Sequence, residues 1–314
     1  MATALARKSG FDAEREGRLA IVATELAGNI VKHSSGGELL IMPATRRGRR
    51  GVDVLAIDRG PGMDDLPRSL EDGYSTAGSS GTGLGAVTRL ADVFDAYSGA
   101  RAGTVIFARL WAAAAAVKRE MLLETAGWSL PKPGEEESGD GWAVDDQPGR
   151  SCILIVDGLG HGPQAAEAAA VALNVFEDKS TLPPAEIVRE QHAALAHTRG
   201  AALAVTLLDT EAREVRYAGV GNTSGVILEG ADAHHLISHN GIVGHELRRV
   251  QEFSYAWPRG ATLLLHSDGL ASWRSSNAYP GLLARHPAVI AGVLYRDLSR
   301  GYDDVTVLVT KEVA

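Results

Sequence analysis

Cysteine is all but missing from this chain. Cys152 stands alone among 314 residues, which excludes a disulfide framework and any cysteine-based zinc site. It opens the apolar run CILIV and reads as a small buried hydrophobe rather than a nucleophile. Positive charge is also scarce: 31 Lys and Arg against 39 Asp and Glu leave a net charge of −8. A general nucleic-acid binder needs a basic face for the phosphates, so that class is set aside. Long apolar runs are absent too. Nothing approaches the ~20 residues of a membrane span, the stretch from Ala112 to Val117 being far too short. No signal-peptide pattern opens the chain, and a cytoplasmic protein is expected. There is no internal repeat and no long disordered tract. What remains, 45% hydrophobic and 22% charged, is ordinary for a globular protein. A chain of 314 residues has room for two domains, each with its own core.

The element pattern divides near residue 112. Residues 12–34 predict a helix, because Leu19, Val22, Ala23, Leu26 and Ile30 recur at helical spacing. Asp12 suits the N-cap, and Glu14 and Glu16 suit the positive end of the helix dipole. Two strands follow, ELLIM and VDVLAI, joined by a loop holding Arg46, Arg47, Arg49 and Arg50. A glycine-rich stretch, residues 73–85, leads into an expected second helix, GAVTRLADVF, and the strand GTVIFARLW closes the unit. The segment AAAAAVKREM reads as a semi-rigid helical connector, Ala being the best helix former. Beyond it CILIVD, LAVTLLD, EVRYAGV, TLLLHSD and VTVLVT read as strands, and Gln164–Phe176 and Pro184–His197 as helices. The expected division is residues 1–112, a connector at 113–120, and residues 121–314.

The first block carries a constellation of nucleotide-binding character. Glu25 and Asn29 stand four apart and share a helix face, with Lys32 on that face as well. An Asn carbonyl is a hard oxygen ligand suited to Mg²⁺, and a Glu one turn earlier can activate a hydroxyl or water against a γ-phosphate. Alone, the pattern is equally that of a solvated helix face. Asp58 ends the strand VDVLAI and precedes Arg-Gly-Pro-Gly; a carboxylate there can accept from an adenine amino group while the glycines let the backbone come close. GTGLGA ahead of a helix can cradle phosphates through backbone N–H groups, or can be a turn. It is not a P-loop, because no Gly-Lys-Ser/Thr follows, and no strand directly precedes it as in a dinucleotide fingerprint.

ELAGN, DRGPG and GTGLG, in this order and at these intervals, resemble the N, G1 and G2 boxes of the GHKL ATPase superfamily. No phospho-acceptor histidine helix pair precedes them, and the stretch from residue 7 to 111 looks like the RsbT-type switch kinases. By that resemblance Glu25 is the catalytic base, Asn29 the Mg²⁺ ligand and Asp58 the adenine anchor. Gly60, Gly62, Gly81, Gly83 and Gly85 shape the pocket, Lys32 belongs to the nucleotide site, and Thr104 matches the family threonine near the adenine. Ser79-Ser80 departs from the more glycine-rich loop of relatives.

The second block carries carboxylates where a sheet can hold them together. Asp157 and Asp268 each end an apolar strand and precede a glycine, Asp303 immediately precedes the strand DDVTVLVT, and Asp140 lies in SGDGW. A single Asp-Gly is most often a turn. Three carboxylates at strand ends, with a fourth in the loop SGDGW, would repel one another if gathered and call for divalent cations, Mg²⁺ or Mn²⁺ rather than zinc. Two ions about 3.5–4 Å apart could share a carboxylate and activate a bridging water. SGDGW, VDGLGHG, LHSDGL and YDDVTVL resemble the SpoIIE branch of the metal-dependent type-2C protein phosphatases, with DGLGHG closest in pattern to the RsbX type. The resemblance implies Asp140, Asp157, Asp268, Asp303 and the Gly158 carbonyl as metal ligands, with two Mn²⁺ or Mg²⁺, and Asp304 supporting them from behind. His161, among glycines, reads either as part of a tight turn or as an acid beside the metals. His234, His235 and His239 read as surface residues and His266 as packed in a strand. The RRGRR loop reads as a solvated hairpin or as a docking patch for an acidic protein.

The implied architecture is α/β (α+β): a GHKL α/β sandwich followed by a type-2C β-sandwich flanked by helices. The implied function is that of a two-way regulator, an Mg-ATP-dependent Ser/Thr kinase and a phosphatase acting on STAS-domain anti-sigma antagonists, with another regulatory phosphatase or sigma-pathway protein as a second candidate partner. The alternative keeps only the phosphatase active and makes the first domain a nucleotide-sensing, partner-binding module.

Overall fold

The long amphipathic helix expected near the N-terminus forms as its pattern dictates. Helix α2 (Ala13–His33) starts at Asp12, whose carboxylate accepts the Arg15 amide at 2.8 Å, and buries Leu19, Val22, Ala23 and Leu26 on one face. The computed structural model describes residues 2–46, 48–63, 65–70, 83–99, 102–113, 123–273 and 275–312. The chain forms two compact units, residues 1–117 with 284–296, and residues 118–283 with 297–314.

In the first unit a short helix α1 (Ala2–Lys8) precedes α2; then come β1 (Gly37–Arg46), β2 (Arg49–Asp58), α3 (Leu66–Ser69), α4 (Gly83–Leu90), β3 (Val93–Ser98) and β4 (Thr104–Trp111). The sheet is antiparallel in the order β1-β2-β4-β3. Residues 93 and 94, expected as the end of a helix, are strand: α4 stops at Leu90 and Val93 pairs with Arg109. Helical and strand periods cannot be told apart over so short an apolar run, and sheet pairing decides. One face of the sheet, Val52, Val54, Ala56, Ile106, Ala108 and Leu110, packs on Leu19, Val22 and Leu26 of α2. The other face is buried as well, every residue of β4 being inaccessible. It is covered by residues 284–296: a Cβ on Gly292 would stand 2.9 Å from Leu55 and Val105, and His286 stacks on Phe107 at 4.7 Å. That segment lies far along the sequence, in the block expected to fold as the phosphatase.

The arginine hairpin is less solvated than its sequence suggests. Arg46 is buried and Arg49 lies over the Trp111 ring at 4.5 Å. Arg50 remains exposed, and Arg47 lies outside the described residues. Most of the connector, residues 114–120, also lies outside them.

The second unit is two stacked sheets with helices on one side. Its elements are β5 (Leu123–Leu130), β6 (Asp140–Gln147), β7 (Arg150–Gly158), α5 (Pro163–Lys179), α6 (Pro184–Ala194), β8 (Ala201–Asp209), β9 (Glu214–Val220), β10 (Ser224–Glu229), β11 (Asp232–His235), β12 (Ser238–His239), β13 (Phe253–Ala256), β14 (Thr262–His266) and β15 (Val305–Glu312); α7 (Pro287–Leu298), between β14 and β15 in the chain, belongs up to Arg296 to the first unit. One sheet runs β11-β10-β14-β15-β5; the other runs β12-β9-β8-β7-β6, with β13 on β9. Strand alternation builds two cores. Ile153 and Ile155 of β7 meet Ile227, Leu263, Leu265 and Leu308 between the sheets. Leu154 and Val156, pointing the other way, meet Ala168, Ala172 and Phe176 of α5 and Ile187 of α6. The small alanines let α5 sit close on its sheet. Cys152 is buried in the helix-side core, and burial pushes its thiol up to about 12, in keeping with a hydrophobe rather than a nucleophile. No helix among the described residues is long and apolar enough to cross a membrane.

Candidate functional site

In the second unit the sheet register sets two of the expected aspartates opposite each other. Asp140, first residue of β6, pairs with Asp157 near the end of β7, and the Gly158 amide donates to the Gly139 carbonyl at 2.9 Å. Both carboxyls have their proton affinity raised. Burial is the largest cause for each; for Asp157 the charges of Asp140, Asp268, Asp303 and Asp304 follow, and all act in the same direction. Gly158 is required where it stands, because a Cβ there would collide with the Ala165 carbonyl of α5.

Residues that carry no motif signal hold this arrangement in place. Ser267 donates its hydroxyl to Asp140 Oδ2 at 2.6 Å and accepts the Thr306 amide at 2.9 Å. Ser129 donates to the Asp140 carbonyl at 3.0 Å and shares a 2.7 Å hydrogen bond with the Thr306 hydroxyl. Asp304 accepts the Lys132 amide at 2.7 Å and the Gly139 amide at 2.8 Å. It thus fastens the loop before Asp140 to the start of β15. Asn222 donates to Asp268 Oδ2 at 2.6 Å. Ser129, Asn222, Ser267 and Thr306 were invisible to sequence reasoning; a polar residue in the middle of an otherwise apolar strand, as at Thr306, is the one signal that could have pointed to them.

Among the described residues no three His, Cys, Asp or Glu side chains are drawn close enough to hold a metal ion as they stand. The donor set nonetheless suits a hard divalent cation. It consists of carboxylate and carbonyl oxygens, and the strongest charges acting on Asp157 are negative. His161 is half-exposed and hydrogen-bonds Glu135 through Nδ1 at 2.7 Å. His234 and His235 are exposed, and His266 is buried with its proton affinity lowered by that burial.

In the first unit Glu25 and Asn29 look toward the start of α4. A Cβ on Gly83 would meet Glu25 Oε2 at 2.8 Å and Asn29 Oδ1 at 3.9 Å. The Asn29 amide nitrogen is buried without a hydrogen-bond partner among the described residues. Lys32, one turn on, is exposed. Asp58 ends β2 opposite Thr104. One Asp58 oxygen accepts the Gly60 amide at 2.7 Å, and Thr104 shares a 3.0 Å hydrogen bond with Ser98. Ser98 in turn accepts the Met63 amide at 2.8 Å, so the loop holding Gly60 and Gly62 is tied to the ends of β3 and β4. A Cβ on Gly62 would strike the Gly99 carbonyl. Gly85 is buried in α4. Arg59 donates to the Arg296 carbonyl. Gly81, Ser79 and Ser80 lie outside the described residues. Glu25 and Asn29 thus face the start of α4, and Asp58 and Thr104 lie opposite each other at one end of the sheet. That is a fit for a nucleotide and its cation.

Comparison with known proteins covers both units. The model for stage II sporulation protein E matches residues 147–312, and that for the histidine kinase-like ATPase domain matches residues 1–110. The serine/threonine-protein kinase RsbT of Bacillus subtilis (strain 168) is 38% identical over 107 residues, which is 34% of this chain and 80% of RsbT. The phosphoserine phosphatase RsbX of the same organism is 22% identical over 149 residues, 47% of this chain and 75% of RsbX. A crystal structure of RsbX in complex with magnesium superposes with a TM-score of 0.53 at 19% identity, covering 60% or more of this chain (63%) and 98% of RsbX. The chain therefore belongs to the SpoIIE family, and to that phosphatase-type domain it joins an N-terminal histidine kinase-like ATPase domain of the RsbT kind.

Proposed function

We propose that the protein is a two-way regulator, phosphorylating Ser or Thr on a partner with Mg-ATP at one site and removing such phosphates at the other. What supports this reading is that one chain carries both sets of residues. Glu25 and Asn29 face the glycine turn with an unpartnered amide, and Asp157 is crowded by four other aspartates. At the first site Glu25 would take the proton of the attacking hydroxyl, Asn29 would hold Mg²⁺ and Asp58 would accept from adenine. Thr104, Lys32 and Gly60, Gly62, Gly81, Gly83 and Gly85 would complete the pocket. At the second site Asp140, Asp157, Asp268, Asp303 and the Gly158 carbonyl would hold two Mn²⁺ or Mg²⁺ ions. Their chemistry is to supply an activated water and to balance phosphate charge. The reaction consumes water and a phosphoseryl or phosphothreonyl ester and yields the free hydroxyl and inorganic phosphate.

RsbT and RsbX support this assignment by name, as kinase and as phosphoserine phosphatase. STAS-domain proteins are the substrate class we assign, and the cytoplasm the compartment. Residues 1–112 and 121–314 would carry the two activities, joined at 113–120. The second reading, an active phosphatase with a nucleotide-sensing first domain, is favoured only if the phosphoryl group never leaves ATP. Covalent fusion gives each active site a high effective concentration of a partner bound at the other. Incubating the full chain with γ-labelled ATP, Mn²⁺ and STAS proteins tests both readings. Asp157→Asn is expected to raise the steady-state phosphorylation of a shared partner and Glu25→Ala to lower it. A shift of the same band in the same direction by both variants would refute the two-way switch.

A further inference from the structure

The turn ahead of β8 carries an arginine that the aspartate constellation leaves unused. Arg199 sits between two anchored residues. Thr198 donates its hydroxyl to the Leu195 carbonyl at 2.8 Å and accepts the Gly200 amide at 3.0 Å. Gly200, at φ +77°, accepts the Leu159 amide on its carbonyl at 3.1 Å. That last bond ties the turn to the loop that follows Asp157. The guanidinium reaches over the same loop: a Cβ on Gly160 would stand 2.8 Å from Arg199 Nη1. Gly160 takes φ +89°, a conformation that favours glycine.

Arg199 is exposed and makes no hydrogen bond or ion pair among the described residues. Its guanidinium lies over Gly160, three residues beyond Asp157 in the chain. A planar guanidinium fork is matched to phosphate oxygens and can hold two of them at once. We propose that Arg199 binds the phosphoryl group of a phosphoserine or phosphothreonine side chain presented to the aspartate site, approaching it over the Gly158–Gly160 loop. The proposal rests on the phosphatase reading and deepens it: the carboxylates hold cations, and Arg199 meets the phosphate oxygens that the cations leave free.

The full chain loaded with Mg²⁺ is the material for the test, with two readouts. Inorganic phosphate is expected to raise the melting temperature of the wild type and to lose that effect in Arg199→Ala, while the shift caused by Mg²⁺ alone persists in both. The KM for a phosphoserine peptide is expected to rise about 10- to 100-fold in Arg199→Ala, with Arg199→Lys intermediate because a point charge replaces the fork. Unchanged KM and an unchanged phosphate shift in Arg199→Ala would overturn the proposal, as would a wild type that phosphate does not stabilise. If the wild type hydrolyses no phosphoserine peptide but its phosphate shift depends on Arg199, the phosphatase reading fails and the anion site stands.

Discussion

At the aspartate site Ser129, Asp140, Ser267 and Thr306 already satisfy one another, whereas at the α2 site the Asn29 amide is buried with no partner among the described residues. The first site has supporting hydrogen bonds around Asp140 in place, at the cost of crowding negative charge. The second keeps an unmet donor that a ligand can satisfy. Buried polar groups are normally paired, so the two sites depart from the norm in different ways: one in charge, one in hydrogen bonding. Each departure marks what the missing ligand must supply, positive charge in one case and hydrogen-bonding oxygen in the other.

The largest expected effect tests the crowding. Asp157→Asn removes the carboxylate at the centre of the cluster, and phosphatase turnover measured on a phosphoserine protein should fall by several orders of magnitude. The same change should raise the melting temperature of the metal-free protein, because it relieves repulsion. If the metal-free variant melts below the wild type, the cluster is not the strained element described here. At the other site, Glu25→Ala should slow phosphoryl transfer by ~10²–10⁴-fold while nucleotide affinity, followed by calorimetry, stays close to wild type. Asp58→Asn should instead remove the binding itself. Equal loss of affinity in both variants would erase the distinction between base and anchor.

A smaller effect probes the supporting bonds. Ser267→Ala deletes the hydroxyl that fixes Asp140 Oδ2 and should weaken Mg²⁺ or Mn²⁺ binding ~10- to 100-fold without changing its stoichiometry. The smallest is a pH dependence. Asp140 and Asp157 have folded-state proton affinities raised above those of the unfolded chain, chiefly by burial. From about pH 4, the unfolded value, up to the raised folded values, the folded protein holds more protons than the unfolded one. Their contribution to stability is full below that window and is lost as pH rises through it. The metal-free protein should therefore melt lower at about pH 8 than the carboxylates alone would allow at about pH 5, and added Mg²⁺ should recover more at the higher pH. A metal-induced shift that is equal at both values would separate cation binding from this repulsion.

Much of this molecule was legible along the chain. Helix α2, its Asp12 cap and its buried face follow from 3.6-residue periodicity and from capping chemistry, which involve near neighbours only. The five strands singled out in the second block each became a strand, and the order of glycine and acidic motifs pointed to both families. The aspartates drew notice in the sequence because Asp157 and Asp268 follow apolar runs and precede a glycine, and Asp303 precedes another such run. What sequence could not reach are the pairings across long separations. Ser267 finds Asp140 over 127 positions and Asp304 finds Lys132 over 172, and no local pattern encodes such a meeting. The facing of Asp140 and Asp157 depends on strand register, since a one-residue slip would turn one carboxyl to the opposite face of the sheet. The end of the expected second helix became β3 once β4 offered it backbone partners. Residues 284–296 gave no signal in the sequence that they cover a sheet. That they cover the first sheet rather than the second was decided by the complementarity of Gly292 and His286 with Leu55, Val105 and Phe107, a property of shape in three dimensions that periodicity does not contain.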